Sequence, residues 1–239
     1  MVETIGILGG GQLGRMSVQA AHKLGFKAAV FSTERNSPAS QIADFKVIGG
    51  YQDRELLDRF LNHVDVVTYE FENIPIDTIR YLKEFKPVFP DERVLEISQD
   101  RYDEKSFLNS LKIPTTRFAQ VNEPGDIQKV MEEWGVERLL LKTRHMGYDG
   151  KGQRPYYAGE NLVDAMVRLG DVALIAEEFV SYQSEFSMII ARDRDENIAL
   201  YGPIRNQHER GILRQSEIPM LMFEEASRAA GEMIKRVAT

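Results

Sequence analysis

Residues 4–14, TIGILGGGQLG, decide the fold of the first part of the chain. The apolar run that ends at Leu8 predicts a strand, and the three glycines after it predict a tight turn. Apolar residues recur at helical spacing from Gln12 onward, so a helix follows the turn until Gly25 stops it. Residues 27–32 form a second apolar run bounded by polar residues. This order of elements predicts a parallel βαβ unit.

The glycine spacing Gly9-x-Gly11-x-x-Gly14 leaves several interpretations open. Backbone amides and the N-terminus of the following helix can hold an anion in such a turn. In a nicotinamide-binding domain, Glu34 near the end of the second strand would be the acid that binds the ribose. The same glycines also occur where a helix only packs closely on a strand. The motif alone therefore does not identify a ligand.

The α/β pattern continues more weakly through the following residues. Strands are predicted at residues 45–48, 64–69 and 88–89, and helices at residues 53–61 and 77–85. Two carboxylates, Glu70 and Glu72, come directly after one of these strands. Because open α/β sheets bind ligands at the carboxyl ends of their strands, we expect a ligand site there.

The pattern changes beyond a boundary that we predict near residue 99. A helical segment runs from residue 91 toward Lys112, and Pro114 then imposes an extended connection. Further helices are predicted at residues 121–134, 161–169 and 223–237, and strands at residues 139–142, 155–157, 173–178 and 185–192. The predicted fold class is α/β, with a Rossmann-like parallel sheet first and an α+β arrangement after it.

The composition excludes several classes of protein. The 239 residues carry a formal net charge of −7, which disfavours binding to nucleic acid or to an anionic membrane. The absence of cysteine excludes disulfides and thiolate metal sites and fits a reducing compartment. No apolar stretch is long enough to span a membrane, and the first residues do not resemble a signal peptide. We expect a cytoplasmic protein.

The most specific motif lies in residues 140–153, LLKTRHMGYDGKGQ. Three glycines in six residues allow a loop whose amides can surround phosphate oxygens, and Lys142 and Lys151 supply positive charge for a phosphoryl group. A Walker loop would need Ser or Thr directly after its lysine, and Gly152 stands there instead. The alternative interpretation is an ordinary hairpin turn exposed to solvent.

A second acidic segment follows this loop. Residues 176–180, AEEFV, end a predicted strand, and Glu185 comes five residues later. An adenine needs a backbone donor, a backbone acceptor and an apolar wall, while a ribose diol needs a carboxylate. This segment can supply all of them, although a charged strand end without a ligand is the simpler interpretation.

Taken together, these segments resemble the N5-carboxyaminoimidazole ribonucleotide synthetase family of the ATP-grasp superfamily. The resemblance is carried by GGGQLGRM at residues 9–16, YEFENIP at 69–75, GYDGKGQ at 147–153 and GILR at 211–214. It covers essentially the whole chain, which corresponds to the first two thirds of such an enzyme. It implies a Rossmann-like pre-ATP-grasp domain at residues 1–99. A linker and a small ATP-grasp subdomain with a glycine-rich lid would follow at 100–180, and the incomplete start of a second subdomain at 181–239.

The function that the resemblance implies is that of an ATP-grasp ligase in purine biosynthesis. Such an enzyme carboxylates 5-aminoimidazole ribonucleotide with bicarbonate and ATP and releases ADP and phosphate. It implies ATP and Mg²⁺ as cofactors, with the metal ligands expected beyond Thr239, and a homodimer as the assembly. The partners are small molecules, with no nucleic acid and no membrane.

The resemblance also assigns roles to individual residues. The catalytic group is Lys151, Tyr148 and Asp149. The ATP contacts are Arg101, Lys142, Gly147, Tyr148, Asp149, Gly150, Lys151, Gly152, Gln153, Glu177, Glu178, Phe179, Val180, Glu185 and His208. The ribonucleotide contacts are Gly11, Gln12, Leu13 and Glu72, and no metal ligand is assigned within the chain.

Three alternatives stay open at this point. Another ATP-grasp ligase, such as a formate-dependent glycinamide ribonucleotide transformylase or a biotin carboxylase, would share the ATP site. A nicotinamide dehydrogenase would explain the first glycine turn but would leave the series from Lys142 to Glu185 without a role. A non-catalytic nucleotide-binding fragment is the third, because the family's metal ligands are missing from the sequence.

Overall fold

The structure is a computed structural model that describes residues 2–147, 150–209, 212–218 and 224–238. The chain divides into two compact units, Met1–Gln99 and Asp100–Thr239. No helix in the described part of the chain is both long and apolar enough to cross a membrane.

The first unit is a parallel four-stranded sheet with helices. The strands are β1 (Thr4–Leu8), β2 (Lys27–Ser32), β3 (Phe45–Ile48) and β4 (Val66–Tyr69), in the order β3-β2-β1-β4. The helices are α1 (Gln12–Lys23), α2 (Arg54–Leu61), α3 (Ile76–Lys83) and α4 (Glu92–Ser98). The predicted Rossmann-like parallel sheet is therefore confirmed.

The apolar runs of the sequence become the core of this unit. Five of the six residues of β2 are buried, as expected for a central parallel strand that is covered on both faces. Phe31 packs against Phe60 of α2 with ring centroids 5.8 Å apart in an edge arrangement. Helix α2 begins where the Asp53 side chain accepts a hydrogen bond from the Leu56 amide. Strand β2 and helix α2 therefore share one buried core.

The second unit begins with a helix and an antiparallel four-stranded sheet. The helices are α5 (Arg101–Ser110), α6 (Pro124–Trp134) and α7 (Leu162–Val167). The strands are β5 (Phe118–Val121), β6 (Arg138–Thr143), β7 (Gln153–Tyr157) and β8 (Leu174–Glu178), in the order β5-β8-β6-β7. One face of this sheet buries Leu139, Leu141 and Ala176 in a core that includes residues of α6 and α7.

A three-stranded antiparallel sheet completes the described part of this unit. Its strands are β9 (Glu185–Arg192), β10 (Ile198–Glu209) and β11 (Ile212–Glu217), with β10 in the centre. Helix α8 (Glu224–Ala238) packs mainly against β9. The α+β arrangement predicted for this part is confirmed.

Several predicted elements were wrong in detail. Residues 121–134 are not one helix, because β5 ends at Val121 and α6 begins only at Pro124, a residue preorganised for the first helical turn. The single helical segment from residue 91 is two helices, since the Asp100 side chain caps a new helix by accepting from the Tyr102 and Asp103 amides. The predicted strand at residues 88–89 is one bridge between Val88 and Val67. Strands β10 and β11 were not predicted.

Candidate functional site

Strand alternation determines where Lys142 lies. Leu139 and Leu141 of β6 point into the core, so Leu140 and Lys142 lie on the opposite face of the sheet. On β8, Glu177 pairs with Leu140 across the strands and shares that face. Lys142 Nζ donates a 2.9 Å hydrogen bond to Glu177 Oε2. Two of the predicted ATP contacts are therefore in direct contact.

A third residue, Lys105 of α5, joins this pair. Its Nζ lies 3.4 Å from Glu177 Oε1, and it also donates a 3.1 Å hydrogen bond to Thr116 Oγ1. The Glu177 side chain is only 6% exposed, whereas the Lys142 side chain is 22% exposed. We call Lys105, Glu177 and Lys142 the lysine–glutamate cluster. Lys105 was missed in the sequence, although its i+4 spacing from Arg101 could have indicated a shared helix face.

The glycine-rich loop is anchored by Arg101, the first residue of α5. The Arg101 guanidinium donates 2.9 Å and 2.5 Å hydrogen bonds to the carbonyl oxygens of Thr143 and Gly147. A Cβ on Gly147 would lie 2.9 Å from Arg101 Nη2, so no larger residue fits at that position without a shift. Arg101, predicted as an ATP contact, therefore holds the backbone of the loop.

The other end of the loop closes against β6. The Thr143 amide donates a 2.7 Å hydrogen bond to the Gly152 carbonyl. Gly152 has φ +69°, and an added Cβ would lie 2.6 Å from Thr143 Oγ1. Gly150 also has a positive φ, while Lys151 and Gln153 are exposed. Tyr148 and Asp149 lie outside the described residues.

A buried carboxylate contacts the residues that precede the glycines of the loop. Asp100, 5% exposed, forms a 2.5 Å ion pair with Arg144 and lies 3.3 Å from His145 Nε2. Burial favours the neutral acid, but hydrogen bonds from Arg144 and the Tyr102 amide outweigh it and hold the pKa of Asp100 below its usual value. Asp100 therefore stays ionised and fixes the start of the loop. It was not among the predicted site residues.

The predicted ATP contacts at residues 177–180, which we call the hinge, lie where β8 ends. Both Glu178 oxygens accept 2.8 Å hydrogen bonds from Arg117, which hold the pKa of that carboxyl below its usual value. The ring of Phe179 is partly exposed and lies 4.6 Å from the Arg138 guanidinium. A cavity of about 580 Å³ is lined by these hinge residues and by the ends of β6 and β7, but not by Lys142. Val180 is exposed beyond it.

Two more predicted residues meet on the second sheet. Glu185 begins β9, and His208 lies near the end of β10 beside a register shift. Their Oε1 and Nδ1 atoms are 3.2 Å apart. Antiparallel pairing of β9 with β10 therefore brings together two residues that are distant in sequence.

The glycine turn of the first unit lies against the carboxylate of Glu70, which follows β4. The Gly11 amide donates a 3.0 Å hydrogen bond to Glu70 Oε1. A Cβ on Gly9 would lie 2.5 Å from the same oxygen, and one on Gly14 would lie 2.7 Å from the Gly9 carbonyl. The place that a dinucleotide phosphate would take at the start of α1 is therefore occupied by Glu70. This geometry disfavours the nicotinamide dehydrogenase alternative.

A cavity of about 250 Å³ adjoins this turn. Tyr51 lines it, and burial together with the nearby Glu70 charge raises the pKa of its hydroxyl to about 12. Ser37 also lines it with a buried Oγ that has no hydrogen-bond partner among the described residues. Of the predicted ribonucleotide contacts, Gly11 lines the cavity, whereas Gln12, Leu13 and Glu72 are exposed outside its lining. Glu70 lines the cavity at the strand end where a ligand site was expected, whereas Tyr51 and Ser37 were not predicted.

The family models match both units. Residues 2–99 match the ribonucleotide synthetase preATP-grasp domain, and residues 106–239 match the ATP-grasp domain. The chain therefore belongs to the ATP-grasp family.

Within that family, the chain is similar to N5-carboxyaminoimidazole ribonucleotide synthases. The chain is 37% identical over 236 residues to the N5-carboxyaminoimidazole ribonucleotide synthase of Brucella melitensis, covering 97% of this chain and 65% of the relative. A solved N5-carboxyaminoimidazole ribonucleotide synthetase in complex with ADP superimposes with a TM-score of 0.92 at 32% identity, covering 99% of this chain and 62% of that one.

A further solved structure contains a ribonucleotide in addition to ADP. It is the Aspergillus clavatus synthase in complex with ADP and 5-aminoimidazole ribonucleotide, with a TM-score of 0.86 at 25% identity, covering 99% of this chain and 62% of that one. The predicted family resemblance is thereby confirmed. The chain spans less than two thirds of the length of each of these three proteins.

Proposed function

We propose that this chain is the nucleotide-binding part of an ATP-grasp ligase that carboxylates 5-aminoimidazole ribonucleotide in the purine pathway to IMP. ATP and bicarbonate are consumed, and N5-carboxyaminoimidazole ribonucleotide, ADP and phosphate are formed. The observation that carries the proposal is the match of both units at once, the first to a ribonucleotide synthetase domain and the second to an ATP-grasp domain. Solved relatives with this architecture hold ADP, or ADP together with the ribonucleotide.

The second unit would bind ATP. The cation of Lys142, on the open face of its sheet, would contact the phosphates, and the glycine-rich loop would cover them with its amides. Backbone groups of the hinge would pair with adenine, whose flat face fits beside the partly exposed Phe179 ring. Glu185 and His208, 3.2 Å apart, would contact the nucleotide from the second sheet.

The first unit would bind the ribonucleotide. Gly11, Gln12 and Leu13 lie at the start of α1 and Glu72 lies beyond β4, at the carboxyl edge of the parallel sheet. The Glu70 carboxylate repels a phosphate and accepts hydrogen bonds, so the adjoining cavity favours hydroxyl or amine groups. The ribose or the amine of the substrate would therefore face Glu70, with its phosphate directed away.

The chemistry would consist of two transfers. A bicarbonate oxygen attacks the γ-phosphorus of ATP, the bond to the β-phosphate oxygen breaks, and ADP leaves with carboxyphosphate formed. The substrate amine then attacks the carboxyl carbon, loses a proton and displaces inorganic phosphate. Lys151, Tyr148 and Asp149 would close over these groups, Lys151 stabilising the negative charge that develops on the migrating phosphoryl group.

Magnesium is expected with the nucleotide phosphates, where it would neutralise charge. The residues that the structure describes contain no cluster of three or more His, Cys, Asp or Glu side chains able to hold a metal. We therefore assign no ligand in this chain and no step to the metal. The cytoplasmic location remains a prediction from the composition, and the homodimer remains a prediction from the resemblance.

Ligand selection by this chain tests the proposal. In titration calorimetry with ADP present, we expect 5-aminoimidazole ribonucleotide to bind and glycinamide ribonucleotide not to bind. In the complete ligase of which this chain would be part, ADP release from ATP should likewise depend on bicarbonate and 5-aminoimidazole ribonucleotide. Binding of glycinamide ribonucleotide alone, or ADP release that depends on formate, would contradict the assignment and favour the formate-dependent transformylase.

A further inference from the structure

The lysine–glutamate cluster has more positive charge than its own pairing requires. Lys105 and Lys142 come from α5 and β6, and both approach the one carboxylate of Glu177. The three side chains are 17%, 22% and 6% exposed in the order Lys105, Lys142, Glu177, so solvent screens them incompletely. Two ammonium groups and one carboxylate leave one positive charge in excess, which attracts a polyphosphate.

The two oxygens of Glu177 are held unequally. Oε2 accepts the 2.9 Å hydrogen bond from Lys142, whereas Oε1 is buried and accepts no hydrogen bond among the described residues. Lys105 Nζ lies 3.4 Å from Oε1, within ion-pair distance, but its hydrogen bond goes to Thr116. A small movement of Lys105 would therefore give Oε1 the hydrogen bond that a buried carboxylate oxygen needs.

Whether Lys142 can leave Glu177 and bind a phosphate depends on whether the Glu177 carboxylate keeps another cationic partner. If Lys142 were the sole counter-charge, its departure would leave a buried carboxylate unpaired, and that loss would oppose nucleotide binding. With Lys105 in place, the carboxylate keeps a partner while Lys142 turns away.

We propose that Lys105 is a positioning residue, which takes over Glu177 so that Lys142 is free to bind the nucleotide phosphates. This proposal rests on the proposed function. Arg101, one helical turn before Lys105, holds the glycine-rich loop, so α5 serves both phosphate-binding elements. Lys105 acts through Glu177 and need not contact the nucleotide.

A double-mutant cycle tests this role. Lys105→Met should raise the Kd for ATP about tenfold, because Glu177 then retains Lys142. In a Glu177→Gln background, where no carboxylate retains Lys142, the same change should alter the Kd less than about threefold. Lys105→Gln, which keeps a donor for Thr116, should behave as Lys105→Met does and guards against a folding defect.

Competitive acetylation of the lysines, read by mass spectrometry without nucleotide, supplies an independent measurement. Lys142 should react about threefold more slowly in Lys105→Met than in the unchanged chain, because its bond to Glu177 is no longer shared. In Glu177→Gln, Lys142 should be acetylated faster than in the unchanged chain. Lys129→Met, a change of an exposed lysine in the same unit, is the matched control and should leave the Lys142 rate unchanged.

The outcomes separate the two proposals. If the unchanged chain does not bind ATP, the proposed function fails, and the acetylation rates still decide the role of Lys105. An equal loss of ATP affinity on Lys105→Met with Glu177 intact and in the Glu177→Gln background would mean that Lys105 contacts the nucleotide or only supports the fold. Such a loss, or an unchanged Lys142 reaction rate in Lys105→Met and Lys105→Gln, would overturn the proposal.

Discussion

The two glycine-rich segments of this chain are similar in sequence, but side chains of opposite charge lie against their glycines. At residues 9–14 the glycines make room for a carboxylate, since Cβ atoms there would collide with Glu70 and with the Gly9 carbonyl. At residues 147–152 the glycines make room for cations and for positive φ angles, with Arg101 bound to loop carbonyls and Lys151 exposed. The first segment thus lies against a negative charge, and the second lies against positive charge.

This difference separates the proposed ribonucleotide site from the proposed phosphate site. A carboxylate at a helix N-terminus uses the amides that would otherwise bind an anion, so the first segment suits hydrogen-bond donors. A loop held at its base by Arg101, beside Lys142, suits a polyphosphate. Glycines therefore indicate only that another group packs closely against the backbone. The charge of that group decides which kind of ligand the segment can bind.

The largest expected effect is on the first segment. Gly9→Ala should lower the free energy of unfolding of the first unit by about 3 kcal/mol, because Gly9 has φ +116° and the new Cβ would meet Glu70. Hydrogen exchange at the amides of β1 and β2 would measure it. Gly50→Ala is the matched control, since a Cβ at Gly50 meets nothing within 4 Å. Equal exchange in the two variants would show that Glu70 does not pack against the turn.

A smaller effect is expected on the second segment, and in binding rather than in folding. Lys142→Met should weaken ATP binding by about 2 kcal/mol, roughly thirtyfold, because a charged contact to phosphate is lost without a core cavity. Calorimetry measures the affinity, and fluorescence of Trp134, the chain's single tryptophan, checks that the second unit is folded. An unchanged ATP affinity would remove Lys142 from the phosphate site.

The smallest effect is expected from Asp100, which anchors the loop. Asp100→Asn should lower the free energy of unfolding of the second unit at pH 7 by about 1.5 kcal/mol, because the charge-assisted bond to Arg144 is lost. The folded-state pKa of Asp100 lies below its ordinary value of 3.8, so this contribution is complete well above pH 3.8 and disappears as pH falls through the folded pKa.

Urea unfolding followed by Trp134 fluorescence at several pH values would measure the Asp100 contribution. The exposed Asp103 is the control, and Asp103→Asn should change the stability much less. A difference between Asp100→Asn and the unchanged chain that grows on acidification would contradict the assigned pKa direction.

Local signals allowed much of the fold to be predicted. The strand, turn and helix around residues 4–14 are encoded by neighbouring residues, and so is the strand predicted at residues 139–142. Strand β10 could not be found in this way, because most of its side chains are exposed and no apolar alternation marks it. The helix break at Asp100 depends on a side-chain cap that the helical pattern on either side conceals.

The candidate site was predictable only for residues within motifs. Lys142 and Glu177 belong to recognisable segments, whereas Lys105 gains its role from a partner far away in sequence. That contact depends on how helix α5 packs beside strand β8, which is a property of the completed fold. The sequence indicated where the phosphates would bind, but not what holds the binding groups in place.

Titration of the chain with ATP and with NAD tests the central claim most directly. We predict that ATP binds, that Lys142→Met weakens this binding, and that NAD does not bind, because Glu70 occupies the anion place of the first glycine turn. Tight binding of NAD with no response to ATP or ADP would contradict the account.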